Sequence, residues 1–406
     1  LITIGDGAFG KRLTSIVIPN SVTTLGDYAF SGCKNLTSVT IGNGVTSLGD
    51  GVFESCKSLT SITIPASVTN ISLYAFPFCS GLKNINVAKG NPKYHSNGNC
   101  LIETESKTLV LGCQTSVIPT NGSVTKIGDV SFWGCENLTN ISIPDGITSI
   151  GVGAFIYCNG LASIAIPASV TSIADNAFLG CSGLSSITVA KNNAKYHSDG
   201  NCLIDTENKT LMSGCKNSII PSDGSVTSIG KYAFYDCTGL TSVTIPDSVT
   251  SIDKRAFSGC TGLTSVTIPG SVTSIGEYAF AGCYKLVEVY NKSSLSITAG
   301  SEENGYVAYY AKNIYTEEGK SKLTTDENGY VIYTDGDEKI LVAYLGTETE
   351  LTLPAYITQI YNYAFRDCTG LTSVTIPNSV TSIGYDTFYG CTELTSITGS
   401  ATNVGT

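Results

Sequence analysis

The 406-residue chain is poor in the residue types that carry most catalytic and metal chemistry: it has two histidines, one methionine and one tryptophan. So few histidines leave little material for imidazole-based metal sites or general bases. Charged residues make up only 14% of the chain, against roughly 25% in an average soluble domain. Positive charge is the scarcer sign, with 23 basic against 33 acidic residues and a net charge of −10. Binding to phosphates needs clustered lysine and arginine, so this balance argues against a nucleic-acid partner and against docking on an anionic membrane. The sequence contains no run of about 18 apolar residues, so no membrane span is expected.

What the chain does have is a repeat. Leu240 to Gly262 reads LTSVTIPDSVTSIDKRAFSGCTG, and the next 23 residues read LTSVTIPGSVTSIGEYAFAGCYK. A phenylalanine recurs every 23 residues in triplets: Phe30, Phe53, Phe76; Phe132, Phe155, Phe178; Phe234, Phe257, Phe280; then Phe365 and Phe388. Phe9 opens the series. Triplets repeat every 102 residues, with 56-residue gaps inside that longer period. Within one unit, Val243-Thr244-Ile245 alternates with period two and predicts a short strand. Pro246 lacks the N–H a ladder needs and ends it. Too few residues remain for a helix, so turns or one helical turn complete the unit. One strand cannot bury its own apolar edge, and stacking of units supplies the core, which is the logic of a solenoid.

The pattern L-x-x-V-x-I-P-x-x-V-T-S-I-G-x-x-A-F-x-x-C resembles the BspA-like (Treponema pallidum-type) leucine-rich repeats. The resemblance covers nearly all of residues 1–406, read as one solenoid. It implies a right-handed curved superhelix with a parallel β-sheet on the concave face and short helical turns or loops on the convex side. It also implies a cell-surface or extracellular setting in host-associated anaerobic bacteria, and adhesive rather than enzymatic function. No catalytic residue, metal ligand or cofactor transfers with it.

Eleven cysteines follow the repeat phenylalanines by three residues: Cys33, Cys56, Cys79, Cys135, Cys158, Cys181, Cys237, Cys260, Cys283, Cys368 and Cys391. Their period is that of the core, and each unit offers only one thiol. A buried ladder of free thiols therefore accounts for them better than a metal site, which needs several ligands in one place. Cys100 and Cys113, and Cys202 and Cys215, lie outside the ladder and bracket hairpin-like stretches. Free thiols and a disulfide within each pair both fit, and free thiols are favoured.

Inserted β-hairpin modules are expected at about residues 88–115, 190–217 and 291–346, projecting from the edge of the solenoid. YHSNGNCLI at 94–102 and YHSDGNCLI at 196–204 carry Asn-Gly and Asp-Gly hairpin signals together with His95 and His197. Those histidines are copies of one repeat position, not members of a catalytic set. The third module differs. Residues 284–363 hold 12 of the 22 tyrosines, residues 301–350 hold 11 of the 33 acidic residues, and repeat patterning lapses between about Asn291 and Ser321. Tyrosine pairs a large apolar face with a polar tip and suits recognition surfaces, though it also simply favours strands. Candidate binding residues are Tyr306, Tyr309, Tyr310, Tyr315, Tyr330 and Tyr333. The turn Asp335-Gly336-Asp337-Glu338 offers oxygen ligands for calcium but lacks an EF-hand spacing.

Serine and threonine at the outward strand positions, such as Thr63, Thr244 and Thr267, pave one face almost identically from unit to unit. A face so repetitive suits a repetitive ligand or none. Specific recognition of an extracellular protein or glycan is therefore expected on the modules. The competing expectation is a structural spacer that holds another domain away from the cell wall. The chain begins inside a repeat and shows no signal-peptide pattern, so it reads as part of a longer protein.

Overall fold

The computed structural model describes residues 2–317 and 319–399 and divides into two compact units, one ending at Cys237 and the other starting at Thr238. Both are built from stacked coils of short strands and turns. Among the described residues the only helix is one 3-10 turn, Asn304–Tyr306.

Each coil has three sides, and each side is hydrogen-bonded to the next coil. The first side is the Ser-Val-Thr-Ile strand. In Ser61–Ile64 the side chains alternate exposed and buried, so Ile62 and Ile64 enter the core and Ser61 and Thr63 face out. It pairs in parallel with Asn84–Val87, Ser61 opposite Asn84 and Ile64 opposite Val87. The second side is a two-residue strand before the glycine; Ser47–Leu48 lies parallel to Asn70–Ile71. The third side has no strand but is still laced: the N–H groups of Phe53 and Ser55 donate to the carbonyls of Ala75 and Pro77 at 2.9 and 2.8 Å. Identical units fall in register because a 23-residue shift brings each donor back to an equivalent acceptor.

The core sits inside these three sides. Phenylalanine rings stack along it with centroids 4.9 to 5.3 Å apart from Phe9 through Phe30 and Phe53 to Phe76. That interval matches the strand spacing of a sheet, about 4.8 Å, and suits offset-stacked rings. Two residues before the phenylalanine the backbone is left-handed: Gly51 at φ 58, and also Tyr28 at 57 and Val130 at 47.

The hairpins do not project. In the first, Tyr94–Asn97, Cys100–Glu103 and Thr108–Leu111 run antiparallel, and the last strand then pairs in parallel with Lys126–Ile127. Gly98 and Asn99 both have positive φ, 59 and 56, as a two-residue hairpin turn requires. The middle strand is buried on both faces. Leu101, Leu111 and Cys113 pack into the core of the preceding coils. Cys100, Ile102 and Leu109 pack into the core of the following ones. The hairpin is thus a partition between two hydrophobic cores, and the unbroken apolar run Cys-Leu-Ile is what a doubly buried strand needs. Tyr196–Asp199, Cys202–Asp205 and Thr210–Ser213 repeat this arrangement.

In the second unit, Tyr330–Asp335 and Glu338–Tyr344 form the corresponding wall. Tyr330, Ile332, Leu341 and Tyr344 face one core, whereas Val331, Tyr333, Ile340 and Val342 face another. The stretch where the repeat pattern lapses contains a further coil. Asn313–Tyr315 pairs in parallel with Glu288–Asn291, and Gly305 accepts the N–H of Phe280 at 2.7 Å. That coil lacks the usual phenylalanine and cysteine, so no sequence signature marks it.

Candidate functional site

All fifteen cysteines are free thiols, thirteen of them buried and Cys368 and Cys391 half-buried. Ladder thiols donate backwards across one coil: Cys56 Sγ lies 3.2 Å from the Phe30 carbonyl and Cys158 Sγ 3.1 Å from that of Phe132. Burial pushes these thiols up, Cys56 to about 12, so they are protonated and inert at neutral pH. They pack in the core and donate along the stack.

The histidines are hairpin surface residues. His95 Nδ1 is 2.9 Å from the Thr104 hydroxyl, and His197 Nδ1 is 2.8 Å from that of Thr206. In the acidic turn, Asp335 takes an ion pair from Lys322 at 2.6 Å, and Glu338 accepts the Gln359 amide at 2.9 Å.

The six candidate tyrosines separate into three sets. Tyr330 and Tyr333 are 4% and 2% exposed and cannot present a face to a ligand. They alternate on a strand buried on both sides, so each belongs to a core; the expectation that they bind is corrected by that burial. Tyr315 is half-buried and stacks on Tyr290 at 5.2 Å along the parallel ladder.

Tyr306, Tyr309 and Tyr310 come together. Tyr306 stacks on Tyr278 at 5.4 Å and meets Tyr309 at 5.3 Å, and Tyr309 meets Tyr310 edge-on at 4.9 Å. Tyr310 continues to Tyr284 at 5.3 Å and to Tyr363 at 5.7 Å, and Tyr363 to Tyr385 at 5.0 Å. The result is a run of seven rings. Six tyrosines, at 284, 309, 310, 361, 363 and 385, together with Asn362, line an open cleft of about 420 Å³. Burial, followed by the neighbouring Tyr284 and Tyr309 hydroxyls, holds the Tyr310 hydroxyl well above the ordinary tyrosine range.

Arg366 underpins the cluster. Its guanidinium lies 4.0 Å from the Tyr284 ring centroid and 4.3 Å from that of Tyr389, and its Nη1 is 3.4 Å from Asp386 Oδ2. A weakly hydrated planar cation between two rings is well placed to hold both. Tyr284, Tyr361, Tyr363, Tyr385 and Arg366 were not among the candidates read from sequence. Their only signal is that variable positions beside repeat cysteines and phenylalanines hold aromatic side chains in this part of the chain.

The BspA type leucine rich repeat region family matches residues 2–121, 111–207, 207–302 and 344–405. A search of curated proteins returned no match. Among solved structures the chain is similar to a leucine rich cell surface protein from Faecalibacterium prausnitzii A2-165, at 28% identity and a TM-score of 0.45, over 98% of this chain and 84% of that one. A leucine-rich repeat protein from Bacteroides ovatus ATCC 8483 gives 24% identity and a TM-score of 0.34, over 98% and 82%. One from Eubacterium ventriosum ATCC 27560 gives 21% and 0.39, over 96% and 73%. With its coils, its thiol ladder and family matches along most of its length, the chain belongs to the BspA-type leucine-rich repeat family.

Proposed function

We propose that this chain is a non-enzymatic recognition module displayed at a bacterial cell surface, binding an extracellular protein or glycan through the tyrosine-lined cleft of its second unit. The observation that carries this reading is the run of rings from Tyr278 to Tyr385. Elsewhere the outward strand positions repeat Ser and Thr, whereas here several half-exposed rings converge on one cleft. Residues 303–343 also fall outside the family matches. Tyrosine offers stacking area and one hydroxyl at little entropic cost, the balance that recognition surfaces favour. The cleft walls carry tyrosine hydroxyls and an asparagine amide, groups suited to binding rather than to proton transfer near neutral pH. Surface display rests on family membership.

The test is a binding array of matrix proteins and glycans, probed with the intact chain and with Tyr309→Ala and Tyr385→Ala. Both residues are well exposed, at 38% and 44%, so their loss should spare the fold. A saturable ligand whose affinity falls at least about tenfold in both variants is expected, a loss of about 1.4 kcal/mol. Unchanged binding would move the site elsewhere. Failure to find any ligand would favour the spacer reading, to which the near-uniform Ser/Thr rows lend support.

A further inference from the structure

A second pocket lies in the first unit, built from different chemistry. Tyr28, Tyr74 and Trp133 supply three aromatic walls, Asp50 and Glu54 two carboxylates, and Gly51 and Pro77 the remainder of a cavity of about 330 Å³. Tyr28 and Tyr74 are about half exposed, at 49% and 48%. Trp133 meets Tyr74 edge-on at 5.8 Å and is backed by Phe78 at 5.8 Å.

Local backbone geometry shapes the pocket. Tyr28 and Gly51 occupy the same left-handed position in successive coils, at φ 57 and 58. The Tyr28 ring therefore lies across Gly51, where any β-carbon would run into it. The carboxylates are held but not neutralised. Asp50 accepts the Ser72 hydroxyl, and Glu54 accepts the Ser31 hydroxyl at 3.1 Å. Among the described residues neither forms an ion pair. The nearest lysine in sequence, Lys57, is committed to Glu136 at 3.0 Å.

Two carboxylates beside three aromatic rings call for a cation. A hard metal ion would need six or more oxygens and would gain little from the rings. An organic ammonium matches both parts of the wall, because ring faces attract its diffuse charge and the carboxylates complete the electrostatic match. We propose that this pocket binds an alkylammonium head group, either a quaternary ammonium or the ammonium of a lysine side chain. The site is separate from the tyrosine cleft and stands or falls without it.

The protein provides its own reporter, since Trp133 is its only tryptophan. Intact protein would be titrated with choline, with N-acetyl-lysine amide and with 3,3-dimethylbutan-1-ol, the uncharged isostere of choline, while Trp133 fluorescence is recorded. A saturable change with choline, with the lysine derivative or with both is expected, and none with the alcohol; the pattern tells the two sources apart. The double variant Asp50→Asn, Glu54→Gln should bind about tenfold more weakly. Gly51→Ala, which drives the Tyr28 ring aside, should also weaken binding while circular dichroism stays unchanged. The proposal is overturned if neither cation gives a saturable change at millimolar concentration. It is equally overturned if the alcohol binds as well as choline, or if the charge-neutral double variant, folded by circular dichroism, binds as tightly as the parent.

Discussion

The thiol of Cys56 donates to the backbone carbonyl of Phe30, one coil earlier, at 3.2 Å. That carbonyl already accepts the N–H of Cys33 at 3.1 Å, so the thiol fills its second lone pair. The same bond recurs from Cys79 to Phe53 at 3.0 Å and from Cys283 to Phe257 at 3.2 Å. Cysteine therefore combines a small apolar volume with a weak donor aimed along the stack, which leucine or alanine cannot do. Cys158→Ala removes both from a site with no exposure. It should lower stability by about 2 kcal/mol in urea denaturation. Cys391→Ala breaks the same bond at a half-buried site and should cost about half as much. Equal losses would mean that burial contributes little.

Alkaline pH should unfold the protein earlier than its neutral-pH stability implies. Burial pushes Cys56, Cys100, Cys181, Cys202 and Cys283 to about 12. An unfolded thiol titrates near about 8.5. Below that value both states are protonated and the full stability is present. As pH rises from there towards 12, the unfolded chain releases protons that the folded chain keeps, so stability falls. The slope approaches about 1.4 kcal/mol per pH unit for each thiol. Lys285 and Lys312 work in the opposite sense, because burial lowers both pKa values, but they are two groups against several thiols. Urea midpoints measured across the alkaline range should fall steeply above pH of about 9, and less steeply in Cys→Ala variants. A flat profile would show that the thiols ionise in place.

All fifteen cysteines should react with a thiol reagent after denaturation without reductant. Cys100 and Cys113 lie near each other in sequence, yet they face separate cores on the two sides of the hairpin wall. Each thiol is instead placed against a backbone carbonyl, Cys100 Sγ 3.5 Å from that of Gly98 and Cys113 Sγ 3.6 Å from that of Asn99, and neither is bonded to the other. A count of eleven would show that both pairs had closed.

Glu288 is fully buried where regular coils carry an outward serine. Its carboxylate accepts the Tyr290 hydroxyl at 3.0 Å, the Ser321 hydroxyl at 2.8 Å and the Lys322 N–H at 2.8 Å. It therefore clasps the segment after the unmarked coil onto the ladder. Glu288→Ala leaves three donors without an acceptor and should cost about 3 kcal/mol. Hydrogen exchange should rise first around residues 313–325. Glu288→Gln keeps an acceptor and should cost less; equal costs would mean that the charge, not the hydrogen bonding, matters.

Repetition made much of this protein legible. Any residue that recurs every 23 positions has the same neighbours in every coil, so the roles of Phe53, Cys56, Ile62 and Pro65 follow from the pattern. The hairpins were visible in Asn97-Gly98 and Asp199-Gly200, but their placement was not. A short apolar run such as Cys100-Leu101-Ile102 reads the same whether it projects or is buried on both faces, because periodicity cannot separate those cases. Tyr330 and Tyr333 carry a different ambiguity, because tyrosine enrichment looks the same on a recognition surface and in a strand buried on both faces.

By itself the sequence determined the coil, its register and its thiol ladder, because those depend on short-range patterns that every unit restates. Only the tertiary structure decided where one core ends and the next begins, and that residues 292–315 form a coil with no signature. It alone brought Tyr310 beside Tyr363 and Tyr74 beside Trp133. Such contacts join residues that the repeat does not relate, and they exist only once stacking has set the distances between coils.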